Sequence, residues 1–284
     1  MGTVPLDLAH LRSWIGRSQV ERDTLSTRHA NLMAATLGLE RPRLEEGAPL
    51  PPLWHWLYFL EGQPPASLGR DGHPARGGFL PPVPLPNRMW AGGRVEFMEP
   101  IALGSVAERR SQVTRVEHKS GRSGDLVFVT VLHEVFTQGR CCLREEHDIV
   151  YKGASSGTAR AVPAAGDAIA TTAQRRTVTP DSTMLFRYSA LTFNGHRIHY
   201  DQDYCRGVEG YPNLVIHGPL IATLLAGFGA EIADRPLSRF VYRGLQPAIL
   251  GQSLSLCGEL KTGAVELRCL LADGSVSMQA DAFT

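Results

Sequence analysis

The sequence predicts an α+β protein in which antiparallel sheets wrap around helices, arranged as two similar halves. Three observations support this prediction. Towards the C-terminus, one strongly apolar helical stripe precedes a series of short strand patterns. The N-terminal half repeats that order of helix-like and strand-like segments. Between the halves, residues 156–176 are rich in Ala, Gly and Thr and carry no apolar period, which is typical of a linker.

The N-terminal half, residues 1–155, is predicted to start with helical sequence between Leu11 and Leu39. Its strand patterns are RVEFMEPI, RRSQVTRVEH, DLVFVTVLHEVF and CLREEHDIVY. A Gly- and Pro-rich loop, residues 71–93, adjoins the first of them. Loops of that length inside compact domains are usually functional or disordered, and the aromatic and aliphatic residues within this one argue against simple disorder.

The C-terminal half, residues 177–284, is predicted to begin with a strand, because residues 179–193 start with an alternating pattern. A helix is predicted from His217 to Ile232, where apolar residues recur at helical spacing. Four strand patterns follow, separated by Gly, Pro or Asp-Gly: SRFVYRGLQPAI, QSLSLCGELK, AVELRCLLAD and SVSMQADAF. One long helix followed by a meander predicts a sheet wrapped on that helix.

Composition narrows the classes of function. With 29 basic and 28 acidic residues the net charge is +1, so no bulk electrostatic attraction to nucleic acid or to an anionic membrane is expected. No apolar run is long enough to cross a bilayer. The five cysteines show no CxxC pairing, which predicts neither a disulfide framework nor a thiolate zinc site. Charged residues near the N-terminus leave no signal region, so a reduced cytoplasmic compartment is expected.

The densest group of reactive side chains lies in FRYSALTFNGHRIHYD, residues 186–201. Asn194, His196 and His199 fall within six positions, and Asn194-Gly195 is a strong turn signal. A histidine beside a turn can reach a cleft, and its near-neutral pKa suits general acid–base catalysis. Asn194 does not ionise, so its expected task is to hold a water or a carbonyl by hydrogen bonds.

His217-Gly218 opens the predicted apolar helix. The first turn of a helix has free N–H groups and a partial positive charge, which would polarise a thioester carbonyl and stabilise an enolate. Gly218 would permit the close approach because it has no side chain.

Other chemistries have weaker signals. His196 and His199 have the spacing of a metal pair, but no third ligand follows at a convincing distance, so no metal site is predicted. The Gly-x-Ser-x-Gly string at residues 153–157 leads into the linker and lacks the strand–turn–helix context of a nucleophile elbow. Cys205 has no evident activating neighbour.

The string IHYD at residues 198–201, with Ile216-His217-Gly218 opening a helix, resembles the signature of the MaoC-like (R)-specific enoyl-CoA hydratases. Asn194 then stands where that family carries a catalytic Asp. The strings SALTFNGHRIHYD, PLPNRMWAGGRVEF and FVYRGLQPAILGQ are similar to a narrower subgroup, the mesaconyl-C4-CoA and itaconyl-CoA hydratases and the mitochondrial type 2 3-hydroxyacyl-thioester dehydratases. This resemblance covers most of both halves.

The resemblance implies a double hotdog fold, with a catalytic C-terminal half and an N-terminal half that accommodates the acyl and pantetheine groups. It implies reversible hydration of an acyl-CoA thioester without a metal or a separate cofactor. His199 would be the general base and acid, Asn194 would orient the water, and Gly218, with His217 shaping the turn, would receive the thioester oxygen. A C5-dicarboxyl substrate, itaconyl-CoA or mesaconyl-C4-CoA yielding citramalyl-CoA, would need a cation. The candidates are Arg88, Arg94 and Arg197.

Three alternatives stay open. The first is a 3-hydroxyacyl-thioester dehydratase of fatty-acid metabolism, which would use the same site on a longer chain. The second is a hotdog thioesterase, although residues 186–200 contain no carboxylate to activate such a reaction. The third is an acyl-CoA binding module without turnover, suggested by the amide at Asn194. The oligomeric state is also open, with a homodimer among the options.

Overall fold

A computed structural model describes residues 6–40, 43–121, 124–153 and 173–284. Within these ranges the chain forms ten strands, which are hydrogen-bonded into one antiparallel sheet. The strands are β1 Ser18–Thr24, β2 Asn87–Phe97, β3 Val106–Gly121, β4 Gly124–Thr137, β5 Arg140–Lys152, β6 Gln174–Val178, β7 Arg239–Gly244, β8 Leu254–Lys261, β9 Ala264–Leu270 and β10 Val276–Phe283. The α-helices are α1 Leu8–Arg12, α2 Thr27–Thr36, α3 Ser182–Leu191, α4 Gln202–Tyr204 and α5 Gly218–Ala233.

The order of the strands shows that the two halves repeat one topology. Across the sheet the order is β1-β3-β4-β5-β2-β7-β10-β9-β8-β6. Counted from the outer edge to the centre, the N-terminal half places its first, third, fourth, fifth and second strands in that order. Counted from the opposite edge, the C-terminal half places its own five strands in the same order. Each half contributes its second strand, β2 or β7, to the centre of the sheet.

The seam between the halves is the antiparallel pair β2–β7, which runs from Gly92 opposite Arg243 to Glu96 opposite Arg239. Glycine is required at Gly92 because a Cβ there would lie 2.5 Å from the carbonyl oxygen of Tyr242. The close approach lets side chains of the N-terminal half reach the amino end of α5.

The C-terminal half closely follows its predicted pattern. Helix α5 was expected from His217 to Ile232 and is found at Gly218–Ala233, packed on β7 to β10. Gly258 of β8 permits this packing, since a Cβ there would lie 2.3 Å from the side chain of Ile232. The prediction of a strand at the start of residues 179–193 was wrong. These residues form α3, which begins where the Asp181 carboxylate accepts a hydrogen bond from the Met184 N–H.

The N-terminal half differs from its predicted helical start. A strand, β1, interrupts residues 11–39, because Ser18–Thr24 alternates in burial and pairs with β3. The helix that remains, α2, has ten residues against sixteen in α5. Apolar side chains of the predicted loop, among them Phe79, Leu80, Val83 and Leu85, cover strands β3 to β5. The loop thus supplies apolar cover where the C-terminal half uses a helix.

The predicted linker, residues 156–176, lies for the most part outside the described residues, and its last three residues belong to β6. No helix within the described ranges is both long and apolar enough to cross a membrane. The five cysteines form no disulfide.

Candidate active site

The predicted reactive segment lies between α3 and α5, beside the seam. After α3 the chain turns at Phe193, whose φ is +48°, and passes through Asn194-Gly195 into a 3-10 turn at Arg197–His199. It returns through Val215 to His217, the residue that precedes α5. This path brings the predicted residues His199, His217 and Gly218 together at the amino end of α5.

His199 is held as a neutral base. Its Nδ1 lies 2.7 Å from the carbonyl oxygen of Val215. A carbonyl oxygen can only accept, so Nδ1 carries the proton and Nε2 keeps its lone pair. Burial lowers the pKa of His199 to about 4, although the bond to Val215 acts in the opposite direction. At neutral pH, Nε2 can therefore accept a proton.

The buried imidazole of His217 packs against the ring of His199. The two imidazole rings stack with centroids 3.6 Å apart and an angle of 18° between their planes. Nε2 of His217 lies 2.8 Å from the hydroxyl oxygen of Ser189 on α3. Burial, together with the neighbouring His199 and His196, keeps the pKa of His217 far below its usual value. His217 is thus a neutral residue that fixes the position of its neighbour.

Gly218 is the first residue of α5, so its N–H has no partner within the helix. The following residue, Pro219, has no N–H of its own. A Cβ on Gly218 would lie 3.5 Å from the indole of Trp90, which belongs to β2 of the other half. The amino end of α5 is therefore directly beside the N-terminal half, as the double-hotdog prediction requires.

Asn194 makes a local turn. Its Oδ1 accepts a hydrogen bond of 3.0 Å from the His196 N–H, and its own N–H donates to the carbonyl of Ser189 at 2.8 Å. With Oδ1 engaged, the amide Nδ2 is the part of the side chain that remains for a ligand. An N–H of this kind can donate to the oxygen of a water but cannot remove its proton.

The three predicted arginines lie in different surroundings. Arg94 makes hydrogen bonds with the carboxylates of Glu146 and Asp148 on β5. Arg197 is paired with Asp201, with a shortest distance of 2.7 Å. Both guanidinium groups are thereby occupied by the protein's own carboxylates.

Arg88 differs, because no ion pair between described residues involves it. Burial raises the pKa of the Tyr151 hydroxyl on β5, and the charge of Arg88 acts in the opposite direction. Arg88 also lines a cavity of about 420 Å³ together with Asp71, His73 and Arg76. Of the three candidates, Arg88 is therefore the one in position to meet an anionic ligand.

Residues 69–77 bring further groups to the site that the sequence did not reveal. The carbonyl of Asp71 accepts a 2.9 Å hydrogen bond from the Arg197 N–H. The imidazoles of His73 and His196 lie 4.3 Å apart between centroids, and His196 lies 5.5 Å from His199. The available signal was the unusual length of the loop at residues 71–93, which predicted a function but not a location.

Asp71, His73 and His196 also form the one group of potential metal ligands found among the described residues. One ligand atom from each lies within 4.8 Å of the others. Two imidazoles and a carboxylate suit a transition metal such as Zn²⁺. The group does not include His199, whose Nδ1 is bound to the Val215 carbonyl.

The comparisons with known proteins agree with this geometry. The model for the family "hydroxyacyl-thioester dehydratase type 2" matches residues 53–250. The chain belongs to this family. It is therefore a hydratase or dehydratase, that is, a hydro-lyase. It is 42% identical over 272 residues to the mesaconyl-C(4)-CoA hydratase of Chloroflexus aurantiacus, covering 94% of this chain and 95% of that protein. It is 27% identical over 234 residues to the mitochondrial type 2 hydroxyacyl-thioester dehydratase of Schizosaccharomyces pombe, covering 73% and 77%.

Solved structures confirm the double hotdog fold. A MaoC-like dehydratase from Phytophthora capsici superposes with a TM-score of 0.72 at 13% identity, covering 98% of this chain and 97% of its own. A Mycobacterium tuberculosis protein described as having a double hotdog fold gives a TM-score of 0.57 at 14% identity, covering 95% and 96%. These likenesses establish the fold, and the resemblance to the MaoC-like proteins inferred from sequence is confirmed.

Proposed function

We propose that this hydro-lyase adds water to a C5-dicarboxyl enoyl-CoA, either itaconyl-CoA or mesaconyl-C4-CoA, to give citramalyl-CoA. The observation that carries the proposal is the position of Arg88, a guanidinium without a carboxylate partner beside the histidine cluster. The 42% identity to a mesaconyl-C(4)-CoA hydratase over nearly the whole of both chains supports the same substrate class. CoA enters as part of the substrate, so the proposed reaction needs no separate cofactor.

The proposed reaction uses one base and one oxyanion site. Itaconyl-CoA, whose double bond joins the β- and γ-carbons, would first be converted to mesaconyl-C4-CoA by transfer of a proton from its α-carbon to its γ-carbon. In mesaconyl-C4-CoA the double bond is conjugated with the thioester, and Nε2 of His199 takes a proton from water while the water oxygen bonds to the β-carbon. The electrons of the double bond move to the thioester oxygen, which the Gly218 N–H and the positive end of α5 stabilise. The imidazolium of His199 then returns its proton to the α-carbon. Asn194 donates through Nδ2 to the water oxygen and holds it in line.

Arg88 explains why a dicarboxyl thioester would be preferred. In mesaconyl-C4-CoA the free carboxylate is attached to the carbon that receives the water, so its cation must lie close to the base. Burial and then the charge of Arg88 lower the pKa of His73, and the same charge contributes to the lowered pKa of His196. Arg88 therefore lies within electrostatic reach of the site and can form a bidentate pair with the carboxylate.

The two halves of the chain would contribute different parts of the active site. In this proposal the C-terminal half, from residue 177, supplies the base and the oxyanion site through His199 and Gly218. The N-terminal half, up to residue 155, supplies Arg88 and Trp90 and accommodates the acyl and pantetheine groups.

A second candidate is a 3-hydroxyacyl-thioester dehydratase that acts on unbranched chains. The family description and the mitochondrial relative from Schizosaccharomyces pombe favour it. The same His199 and Gly218 would serve, with the reaction running towards loss of water. An unbranched acyl chain has no second carboxylate, so the contribution of Arg88 separates the two candidates.

The test compares the wild type with Arg88→Met on mesaconyl-C4-CoA, itaconyl-CoA and crotonyl-CoA. We expect kcat/KM for mesaconyl-C4-CoA to fall about 100-fold, as for loss of a charge-assisted bidentate pair, and that for crotonyl-CoA to change less than about threefold. Arg115→Met is the matched control, because Arg115 lies on the exposed surface of β3. Wild-type turnover of crotonyl-CoA equal to or better than that of the dicarboxyl thioesters would instead support the second candidate.

A further inference from the structure

Residues 69–77 of the N-terminal half are fixed against the loop that carries the catalytic histidines. The Arg197 N–H donates to the Asp71 carbonyl, and Arg197 Nη1 donates to the Arg70 carbonyl. Gly72 has a φ of +85°, and a Cβ on it would lie 2.0 Å from the carbonyl oxygen of Gly195. The two loops thus meet backbone to backbone, which sets the side chains between them in a defined arrangement.

Asp71 and His73 form a carboxylate–imidazole pair at this contact. Nδ1 of His73 lies 3.2 Å from Oδ2 of Asp71, and the His73 N–H donates to Oδ1 at 3.1 Å. Burial opposes ionisation of Asp71, yet the side-chain and backbone hydrogen bonds from His73 bring its pKa below the usual value. An ionised carboxylate can only accept, so Nδ1 carries the single proton of the neutral His73 ring and Nε2 is left as an acceptor.

This carboxylate matters because the catalytic segment has none of its own. Residues 186–200 contain no Asp or Glu. Asp201, which follows, is engaged by the guanidinium of Arg197 and by the Tyr204 N–H. Among the residues that the structure describes, Asp71 is the carboxylate that contacts the histidine cluster at the site.

His73 is also accessible from a cavity beside the histidine cluster. It lines the 420 Å³ cavity with Arg88, and its ring is next to His196. The His196 ring in turn lies 5.5 Å from the ring of His199, centroid to centroid, so His73 and His199 lie on either side of His196. His73 therefore combines access to the cavity, a fixed tautomer and proximity to the base.

We infer that His73 is a second catalytic residue and that Asp71 is its positioning residue. The inference rests on the proposed hydration. Nε2 of His199 takes the proton that leaves the water, and Nε2 of His73 accepts a hydrogen bond from the proton that stays on the water oxygen. This directs a lone pair of the oxygen to the β-carbon. Asp71 maintains the tautomer of His73 that can accept, a contribution that the amide of Asn194 cannot make.

The sharpest test is Asp71→Asn, which keeps an oxygen to hold the His73 N–H and removes the charge. An Asn amide can donate to Nδ1 of His73 and so place the proton on Nε2, the wrong tautomer for accepting from water. We expect kcat for mesaconyl-C4-CoA to fall about 100-fold in both Asp71→Asn and His73→Gln, with KM within about threefold of the wild type. In His73→Gly, added imidazole should raise kcat at least about tenfold above the value without imidazole.

The controls are Asp125→Asn and His118→Gln, because His118 and Asp125 form a similar pair, 2.8 Å apart, on the surface hairpin of β3 and β4. Both should keep wild-type kcat. Thermal unfolding of every variant separates loss of catalysis from loss of fold. Wild-type kcat in Asp71→Asn or His73→Gln, or the absence of imidazole rescue, would overturn the inference alone.

The metal content of the purified protein tests whether Asp71, His73 and His196 bind a metal ion instead. A stoichiometric transition metal in the purified protein, lost together with activity on chelation and absent from His73→Gln, would overturn the inference in favour of a metal centre. A wild-type protein that hydrates none of the thioesters would overturn the proposed function and this inference together.

Discussion

The chemistry of His199 depends on a single backbone contact. The Val215 carbonyl fixes the proton on Nδ1, and burial keeps the ring neutral. The sequence indicated His199 because a histidine follows a turn. It could not indicate the tautomer, because Val215 lies sixteen positions away and meets His199 only in the folded chain.

The lowered pKa of His199 predicts an acid-tolerant enzyme. An exposed imidazole titrates near 6.5, whereas the pKa of His199 is about 4. Because the neutral form is the base, kcat/KM should stay level through pH 6.5 and fall only as the pH approaches about 4. A pH–rate profile checks this, and return of each sample to pH 7.5 separates titration from irreversible unfolding. An acid limb centred near 6.5 would contradict the assignment.

The lowered pKa of His199 also makes the free energy of unfolding depend on pH. The unfolded chain binds a proton at His199 below about pH 6.5, while the folded chain resists it until about pH 4. The stabilisation that comes from keeping this ring neutral is therefore present above pH 6.5 and is lost as the pH falls towards 4. The half-buried His133, whose pKa desolvation lowers to about 3, acts in the same direction.

The contact between the two active-site loops makes its own prediction. Gly72→Ala would place a Cβ 2.0 Å from the Gly195 carbonyl oxygen, so one loop must move away from the other. We expect kcat to fall about tenfold or more, because displacements near 1 Å can cost about 100-fold in rate. Steady-state kinetics on mesaconyl-C4-CoA provide the measurement.

Gly47→Ala is the matched control for that substitution. Gly47 has a similar φ of +81°, but a Cβ there would meet nothing within 4 Å. Both variants place an alanine at a similar positive φ, and only Gly72→Ala brings its Cβ against the other loop. An equal loss of kcat in the two variants would mean that strain, and not the contact between loops, lowers the rate.

Predictability from sequence varied among the elements. Helix α5 and strands β7 to β10 were predictable because an unbroken apolar stripe and Gly- or Pro-marked strands describe them locally. Strand β1 was missed, since its short alternating run lies between two helices and is recognised by its pairing with β3. Helix α3 was mistaken for a strand because the capping role of Asp181 was not recognised.

Side-chain pairing across the sheet was the least predictable feature. Arg94 was selected as a substrate ligand, but the register of β2 and β5 sets it opposite Glu146. The approach of Asp71 and His73 to His196 joins segments from different halves. Neither contact follows from local periodicity, because each depends on the topology of the whole sheet.

At the scale of the whole molecule, the candidate site lies where the two repeats meet. The strand order recurs in both halves, and the seam formed by β2 and β7 brings Trp90 to the amino end of α5. The C-terminal repeat keeps the long helix whose first turn can bind an oxyanion. In the N-terminal repeat a loop occupies the place of that helix, and Asp71 and His73 of this loop lie next to His196.

The most direct measurement follows mesaconyl-C4-CoA in ¹⁸O-labelled water by mass spectrometry, with the wild type and His199→Gln side by side. We expect the wild type to give a CoA thioester heavier by one labelled water. The variant should be slower by at least about 100-fold while remaining folded. Free CoA released without a hydrated thioester, or equal rates in the two proteins, would contradict hydration by His199 at the seam.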